Sequence, residues 1–546
     1  MTRLQHLLHA ALLASAVTAV PQKVDLGYAS YVGAALENGL TQWMGMRYAA
    51  APVGDLRFMP PQDPPHEDEP QQAVQPPLAC LGTKRSVNDN TTSEDCLFIN
   101  VMAPSSATPQ SRLPVFFYIQ GGGFNTNSDP NINATGIIDA ADRDLVVVTI
   151  NYRVGPYGFL TNGDEITPNN GLRDQRKALE WVQAHISKFG GNPDHVVVGG
   201  TSAGGASVIF HLTADNGTDR GLFHGAISQS GSFAATLTVQ QSQYQYNQFA
   251  TRLGCATADS LSCLRGKTAK QIQEKNYNIP LPGAAAAPLY QWLPVLDYDF
   301  ITDYTYRALG EGKFIKVPTI FGDNNNGGTT FAPSNTSTLA ASNEFLLNQY
   351  PTLTPAQLGE LNEMYPNPNN TCPNLGCYWR QLSNAYQEVR YMCPALFAND
   401  VYSRRRRRRR QQGPPSWAYL WNVEDPKQMA EGKGVPHTVE LEAIIGPEYA
   451  AKRAPESYLP GGINERASPV VQGYWTSFMR ALDPNKYRAE GTAEWRPWGP
   501  RSSRSGGGGE ARLVFGRGAT TEMVGVDDDM KRRCEWWVRH GVEMML

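Results

Sequence analysis

The ten residues VVVGGTSAGG at positions 196–205 decide the interpretation of this chain. The three valines form a short β-branched run, which is typical of a buried strand. The glycines that follow flank Ser202 in the pattern G-x-S-x-G, and small residues on both sides allow a sharp turn from a strand into a helix. Because this turn leaves the serine hydroxyl exposed, the stretch predicts Ser202 as a nucleophile. The alternative is a tight glycine turn with an incidental serine.

The segments around this stretch predict a layered α/β fold. Short apolar runs at 114–119, 145–150, 196–198 and 317–321 are typical of buried strands in a largely parallel sheet. Between two of them, Leu179, Val182, Ile186 and Phe189 recur at the spacing of an amphipathic helix. Strand, helix and strand make the βαβ unit of a doubly wound sheet flanked by helices.

A glycine window follows the first of these strands. The sequence QGGGF at 120–124 allows backbone N–H groups to approach a substrate oxygen without side-chain obstruction. Gly122 and Gly123, together with the N–H of Ala203 beside Ser202, are the predicted donors for a negatively charged oxygen. Such an oxyanion hole is what acyl transfer through a serine requires. A plain glycine-rich turn is the alternative for this window alone.

A serine nucleophile also needs a base, and chain order selects among the histidines. Where a G-x-S-x-G serine follows a strand, the base comes later in the chain than both the serine and its acid. His211 and His224 follow Ser202 too closely, and His540 lies in a helix-like segment at the C-terminus. His437, in the loop-like stretch GVPHTVE at 434–440, is therefore the predicted base.

The chain resembles the type-B carboxylesterase/lipase family of α/β-hydrolases, especially its secreted fungal members. The resemblance implies a single α/β-hydrolase domain over residues 20–546 that has a mostly parallel sheet with large insertions. It also implies hydrolysis of small-molecule carboxylic esters through an acyl-enzyme, with no metal and no organic cofactor. Its motifs run through most of the chain: RYA at 47–49, LRF at 56–58, SEDCL at 93–97, GGGF at 121–124, NYR at 151–153, SQSG at 228–231, and His437 with Glu440.

The chain departs from the family pattern at the catalytic acid. In the loop GDNNNGGT at 322–329, Gly327 stands where the family has a glutamate. Asp323 is the tentative substitute, because it follows a predicted strand, but an Asp before an Asn run also caps turns. Glu440, only three residues beyond His437, is expected to support its own loop instead. Thr201 also replaces a glutamate that is frequent in the family.

Composition and the N-terminus predict a secreted protein. The 546 residues carry 48 basic and 51 acidic side chains, a net charge of −3, which excludes a protein built mainly to coat nucleic acid or an anionic membrane. Residues 1–19, with Arg3 before an apolar stretch, are typical of a signal peptide, and no later stretch is expected to anchor the chain in a membrane. Sequons for N-glycosylation begin at Asn90, Asn133, Asn216, Asn335 and Asn369.

The eight cysteines lack the spacing of a zinc site and are expected in disulfides. The predicted pairs are Cys80 with Cys96 and Cys255 with Cys263. The pairing of Cys372, Cys377, Cys393 and Cys534 stays open, with Cys372–Cys377 and Cys393–Cys534 as the candidates.

Two further segments bear on function. In related lipases a loop near the first disulfide acts as a lid, but the loop between Cys80 and Cys96 is short, polar and carries a sequon, which favours soluble or short-chain esters. The seven arginines at 404–410 predict a solvated surface tract, with polyanion binding as the alternative. The missing glutamate leaves a second hypothesis for the whole chain, a catalytically impaired binding protein that keeps the hydrolase fold. The sequence does not determine the oligomeric state.

Overall fold

The computed structural model describes residues 19–87, 90–128, 130–367, 375–408, 414–450, 453–499 and 510–546, without the side chains of 404–408. Several predictions lie outside these residues: the signal peptide up to residue 18, the sequon at Asn369, Cys372 with its pairing to Cys377, and the side chains of the arginine run.

The strands are numbered in chain order. Their bounds are β1 Lys23–Asp25, β2 Ser30–Val32, β3 Ala34–Ala35, β4 Leu40–Arg47, β5 Gln71–Gln72, β6 Ala79–Cys80, β7 Thr92–Ser93, β8 Phe98–Pro104, β9 Leu113–Ile119, β10 Val146–Ile150, β11 Gly191–Thr201, β12 Gly225–Gln229, β13 Thr319–Asn324, β14 Ser416–Asn422, β15 Ala511–Gly516 and β16 Thr520–Gly525.

The α-helices are numbered in the same way. Their bounds are α1 Thr135–Ala140, α2 Gly155–Phe159, α3 Asn170–His185, α4 Ala203–Gly217, α5 Val239–Arg252, α6 Ser260–Arg265, α7 Ala269–Lys275, α8 Thr305–Glu311, α9 Leu339–Gln349, α10 Pro355–Met364, α11 Trp379–Gln387, α12 Cys393–Arg408, α13 Pro426–Ala430, α14 Glu440–Ile445, α15 Ala467–Ala481 and α16 Asp528–His540. A π-helical turn, Glu388–Met392, joins α11 to α12.

One large sheet organises the fold. Its eleven strands follow the order β16-β15-β14-β13-β12-β11-β9-β10-β8-β4-β3. The strands from β15 to β10 pair in parallel, and the antiparallel pairs lie at the two ends of the sheet. This arrangement confirms the predicted α/β-hydrolase fold with a mostly parallel sheet.

The strand order reverses direction at β9. From β9 the chain adds β10 on one side of the sheet and then β11 on the other side. In open α/β sheets, a crevice forms at the carboxyl ends of the strands where the order switches in this way. The glycine window follows β9 and Ser202 follows β11, so the topology brings both to the same crevice.

Helices cover both faces of the sheet. Successive residues of a strand point to opposite faces, and Phe117 of β9 accordingly belongs to the hydrophobic core that contains Leu179 of α3, whereas Phe116 belongs to the core on the other face, which contains Trp475 of α15. The helix predicted from its apolar spacing at 179–189 is confirmed, although it begins earlier, at Asn170, and its last residues form a 3₁₀ turn, Ile186–Phe189. Parallel strands buried on both faces explain the continuous apolar runs of the sequence.

Three disulfides join described residues. Cys80 pairs with Cys96 and Cys255 with Cys263, as predicted. The pairing of Cys393 with Cys534, left open by the sequence, joins α12 to α16. Within the part of the chain that the structure describes, no helix is both long enough and apolar enough to cross a bilayer.

Candidate active site

Ser202 lies on the sharp turn between β11 and α4. Its backbone angles are φ 61° and ψ −118°, a strained conformation for a residue with a side chain. Two hydrogen bonds hold this turn: the N–H of Ser202 donates to the carbonyl of Gln229 at 2.9 Å, and the N–H of Ser232 donates to the carbonyl of Ser202 at 3.3 Å. The turn presents a partly exposed serine at the end of the sheet.

The glycines around Ser202 are required by close backbone packing. A Cβ on Gly204 would lie 2.0 Å from the carbonyl oxygen of Ile119, and a Cβ on Gly200 would lie 2.5 Å from the backbone of Gly204. Neither contact is sterically feasible, so the strand end and the first turn of α4 can approach β9 only with glycine at both positions. The G-x-S-x-G pattern is therefore a packing requirement of this turn.

The glycine window reaches the same place from β9. A Cβ on Gly121 would lie 3.0 Å from the Cβ of Ser202, so the window and the serine are in contact. Gly122 and Gly123 have φ angles of 113° and 63°, which glycine adopts without strain. The N–H of Ala203 is in the first turn of α4, where amides have no partner within the helix. The predicted donors Gly122, Gly123 and Ala203 are thus on the two segments that meet at Ser202.

Carbonyl contacts fix the orientation of these peptide groups. The carbonyl of Gly122 accepts from the N–H groups of Asn125 and Thr126 at 3.1 and 2.9 Å. The carbonyl of Gly123 accepts from Nδ2 of Asn125 at 2.8 Å, and the same Nδ2 donates to the carbonyl of Trp292 at 2.7 Å. Asn125, which is buried, was missed by the sequence reasoning because its role depends on Trp292, far away in the chain.

The loop that carries His437 is held by the loop after β13. Oδ1 of Asn326 accepts from the N–H of Val435 at 3.0 Å, and Oγ1 of Thr330 accepts from the N–H of His437 at 3.2 Å. Oδ1 of Asn324 accepts from the N–H of Thr438 at 3.2 Å. The stretch in which the family carries its acid therefore still holds the loop of His437, the predicted base, although it lacks the carboxylate.

His437 lies in an aromatic and positively charged environment. Its ring centroid is 4.4 Å from that of Tyr391 and 5.0 Å from that of Phe331. The residue is half-buried overall, but both ring nitrogens are buried and have no hydrogen-bond partner among the described residues. Burial of the imidazole and the positive charge of Arg390 lower the pKa of His437 to about 3. The imidazole is therefore neutral, as a base must be, but it accepts a proton less readily than a free histidine.

A glutamine amide lies where a side chain at position 327 would begin. A Cβ on Gly327 would lie 2.5 Å from Oε1 of Gln387. Nε2 of Gln387 donates to the carbonyl of Asn324 at 2.7 Å, whereas its buried Oε1 has no partner among the described residues. The loss of the carboxylate at position 327 is thus accompanied by an amide from α11 in the adjoining space.

The structure does not bring the carboxylate of Asp323 to His437. Asp323 is the fifth residue of β13, paired with Leu420 of β14, and is not in the loop beyond the strand. Its side chain is buried, and Oδ1 has no hydrogen-bond partner among the described residues. Burial raises the pKa of Asp323 to about 7, against the opposing charge of Arg512.

Glu440 and Thr201 also lie close to the site. Oε1 of Glu440 accepts from the hydroxyl of Tyr419 at 3.0 Å, and burial raises the pKa of this carboxyl group. Neither ring nitrogen of His437 bonds to it. Thr201 is buried, and its hydroxyl has no partner among the described residues. Of the predicted residues, the structure brings Ser202 together with the predicted donors Gly122, Gly123 and Ala203, and among the described residues no carboxylate is bonded to His437.

Known proteins share this fold and these segments. The family model described as "Carboxylesterase family" matches residues 26–505. Secreted lipase 4 of Gibberella zeae is 29% identical over 94% of this chain and 92% of its own length. Lipase 1 of Geotrichum candidum is 34% identical over 59% of this chain and 64% of its own length.

The solved structures include an equally extensive match. The crystal structure of Aspergillus niger EstA superposes with a TM-score of 0.90 at 40% sequence identity, and the match covers 96% of this chain and 99% of that one. The family match over most of the chain agrees with the strand–serine–helix turn, the glycine window and the sheet order. The chain belongs to the carboxylesterase family and is a carboxylic ester hydrolase with the α/β-hydrolase fold.

Proposed function

We propose that the chain hydrolyses carboxylic esters through an acyl-enzyme on Ser202, with His437 as general base. The observation that supports this proposal is the contact between the strained serine turn and the glycine window, because a serine nucleophile requires N–H donors beside it. Oγ of Ser202 attacks the ester carbonyl and gives its proton to His437, while the amides of Gly122, Gly123 and Ala203 bind the oxyanion.

The remaining steps release the two products and regenerate the free serine. Collapse of the tetrahedral intermediate breaks the bond to the alcohol, which leaves with the proton held by His437. Water then attacks the acyl group on Ser202 with His437 again accepting a proton, and the carboxylic acid is released. In both halves the imidazole becomes an imidazolium, the state that a triad carboxylate normally stabilises.

The environment of His437 predicts slow turnover. Loss of the acid from a serine triad costs on the order of 10⁴ in rate, because the imidazole is neither oriented nor stabilised when charged. The lowered pKa of His437 acts in the same direction. A weak ester hydrolase is the activity expected from these residues.

Short, soluble esters are the substrates that we favour. The loop closed by Cys80 and Cys96 carries an exposed sequon at Asn90, and an exposed polar loop is a poor cover for a lipid-binding surface. The lipase names of the relatives belong to those proteins and do not fix the chain length accepted here.

We also propose secretion and N-glycosylation. The disulfides suit an oxidising compartment, and Asn90, Asn133, Asn216 and Asn335 are exposed. Secretion predicts that the mature protein begins at Val20. N-terminal sequencing of protein from the culture medium, with its mass before and after removal of N-glycans, tests both statements.

A fluorophosphonate probe tests the nucleophile directly. The wild-type protein should be labelled, Ser202→Ala should not, and the exposed control Ser187→Ala should be labelled as the wild type is. Hydrolysis of p-nitrophenyl acetate and butyrate should follow the same pattern. If labelling is absent from the wild type, or if Ser202→Ala is labelled equally, the proposal is wrong.

A non-catalytic binding protein is the second candidate. The observation in its favour is that neither nitrogen of His437 has a partner among the described residues. This candidate predicts that the wild type and Ser202→Ala hydrolyse short esters at the same rate, equal to that of the buffer.

A further inference from the structure

A small cavity of about 20 Å³ adjoins the candidate active site. Tyr290 lines it, and the ring of Tyr290 also contacts Gly123, since a Cβ on that glycine would lie 2.2 Å from the ring. The cavity therefore begins beside one of the proposed oxyanion donors. Its other polar lining includes Arg390, Gln291, Gln245 and Gln349.

Arg390 is a buried cation in the wall of this cavity. Its exposed fraction is 4%, and no carboxylate of a described residue forms an ion pair with it. The carboxylate nearest to it in sequence, Glu388, is bound to Arg533 at 2.7 Å and to the hydroxyl of Tyr365 at 2.6 Å. An unpaired charge is expensive to bury, because the protein replaces only part of its hydration.

Aromatic groups compensate this charge in part. The guanidinium carbon is 5.8 Å from the ring centroid of Tyr290, within the range of a cation–π interaction. Tyr350, Tyr386 and Tyr391 also lie close to the guanidinium group. Nε of Arg390 nevertheless has no acceptor among the described residues.

Gln291 supplies a second free donor to the same cavity. Its exposed fraction is 2%, and its Oε1 is used, because it accepts from the N–H of Ile279 at 2.7 Å. Its Nε2 has no partner among the described residues. A buried cation and a buried amide donor that share a cavity and both lack acceptors fit a ligand with negatively charged oxygens.

We propose that this cavity binds a carboxylate of the substrate, and that the chain prefers esters that carry a second, free carboxyl group. The inference rests on the proposed ester hydrolysis at Ser202. The carboxylate accepts hydrogen bonds from Nε of Arg390 and Nε2 of Gln291 while the ester carbonyl lies at the amide of Gly123. The free carboxylate of the substrate belongs either to the acid part of the ester, as in a monoester of a dicarboxylic acid, or to the alcohol part, as in an ester formed by the hydroxyl group of a hydroxy acid.

Matched pairs of esters test this preference. One series compares monomethyl esters of C4–C8 dicarboxylic acids with methyl esters of monocarboxylic acids of the same length. The other compares acetate esters of ω-hydroxy acids with alkyl acetates. In one of the two series, kcat/KM should be at least tenfold higher for the anionic member, since a hydrogen bond to a charged group contributes more than a neutral one. Equal values in both series overturn the proposal.

The variant Gln291→Glu tests the cavity itself. It keeps the acceptor for Ile279 and the size of the side chain, but it places a negative charge in the cavity that Arg390 lines. The anionic-to-neutral ratio of kcat/KM should fall at least tenfold. Gln271→Glu is the matched control, because it makes the same change at an exposed position in the first turn of α7 and should keep the ratio. An unchanged ratio in Gln291→Glu overturns the proposal.

Binding to an inactive protein separates this inference from the proposed function. Calorimetry of Ser202→Ala with glutarate, and of the same variant with Gln291→Glu added, requires no hydrolysis. Binding that the second change weakens at least tenfold supports the cavity even if no ester is cleaved. Absence of binding across the C4–C8 dicarboxylates overturns it, even if neutral esters are hydrolysed.

Discussion

Restoring a carboxylate at position 327 should raise the activity of this enzyme, but only when Gln387 is changed as well. The backbone at Gly327 does not lie in the left-handed region, so it accepts a side chain. The obstacle is Oε1 of Gln387, 2.5 Å from the position of the new Cβ. In Gly327→Glu alone, the amide must move and give up its bond to the carbonyl of Asn324.

The cost of this movement follows from the buried bond. Leaving the carbonyl of Asn324 without its donor costs about 1–3 kcal/mol, and the single variant, like any variant that lacks the Gln387 amide, should lose stability on that order. Replacing Gln387 by alanine frees the space, so Gly327→Glu/Gln387→Ala should place the carboxylate nearest its family position. The gain in kcat is then bounded by the value of a triad acid, on the order of 10⁴. We expect kcat of the double variant to rise at least a hundredfold.

The pH dependence of kcat/KM is an independent test of the restored carboxylate. The pKa of His437 is about 3, so the wild-type kcat/KM should show no acid limb near pH 6.5, where a free histidine titrates. A neighbouring carboxylate favours the imidazolium and raises the histidine pKa by about 1–3 units. The double variant should therefore lose activity between about pH 6 and pH 4, where the wild type does not.

The assay is the hydrolysis of p-nitrophenyl butyrate from pH 4 to pH 9, with thermal unfolding as the measure of folding. Gly327→Gln/Gln387→Ala is the matched control, since it fills the same space without a charge. If the glutamate and glutamine double variants have the same kcat, the restored charge does not act on His437. The reasoning from the position of Gln387 is then refuted.

Three further predictions concern other buried groups. Asp323→Asn should change kcat less than tenfold, because Asp323 does not reach His437. The Asp323 carboxyl group keeps its proton up to about pH 7 in the folded protein but only up to about pH 3.8 in the unfolded chain, so the wild type should lose up to about 4 kcal/mol of stability as the pH rises through this window. Urea unfolding of Asp323→Asn should not show this loss. His211 is buried and has a pKa of about 3, so it is neutral in the folded protein, and stability should fall as the pH drops below about 6.5. His211→Gln should remove about 2 kcal/mol of this loss at pH 5. Equal pH dependence of stability in both proteins would contradict a neutral His211. Gly204→Ala should abolish fluorophosphonate labelling or soluble expression, because its Cβ would meet the carbonyl of Ile119 at 2.0 Å, and a labelled, stable variant would show that the turn can relax.

The serine turn and the glycine window could be predicted because their signals are local. A β-branched run, small residues and a serine within ten positions specify a strand, a turn and a helix almost independently of the rest of the chain. The same holds for the βαβ unit, whose helix has its own apolar spacing. The disulfide between Cys255 and Cys263 likewise closes within a short segment.

The surroundings of His437 could not be predicted because they depend on distant pairing. Asp323 and Asn324 resemble the start of a turn, but parallel pairing with β14 extends β13 through both residues. Gln387 and Arg390 come from the end of α11 and the π-helical turn, where their sequence gives no sign that they face the site.

Arg390 connects the missing acid with the proposed substrate. Burial first, and then the charge of Arg390, lower the pKa of His437 from 6.5 to about 3, and together they make protonation of the imidazole less favourable by about 5 kcal/mol. A carboxylate bound at Arg390 would offset this charge and make the imidazolium easier to form. An anionic ester would then supply part of the negative charge that position 327 lacks, and it would do so only while bound. On this reasoning the preference for anionic esters should be expressed in kcat as well as in KM, whereas a carboxylate that only anchors the substrate would change KM alone.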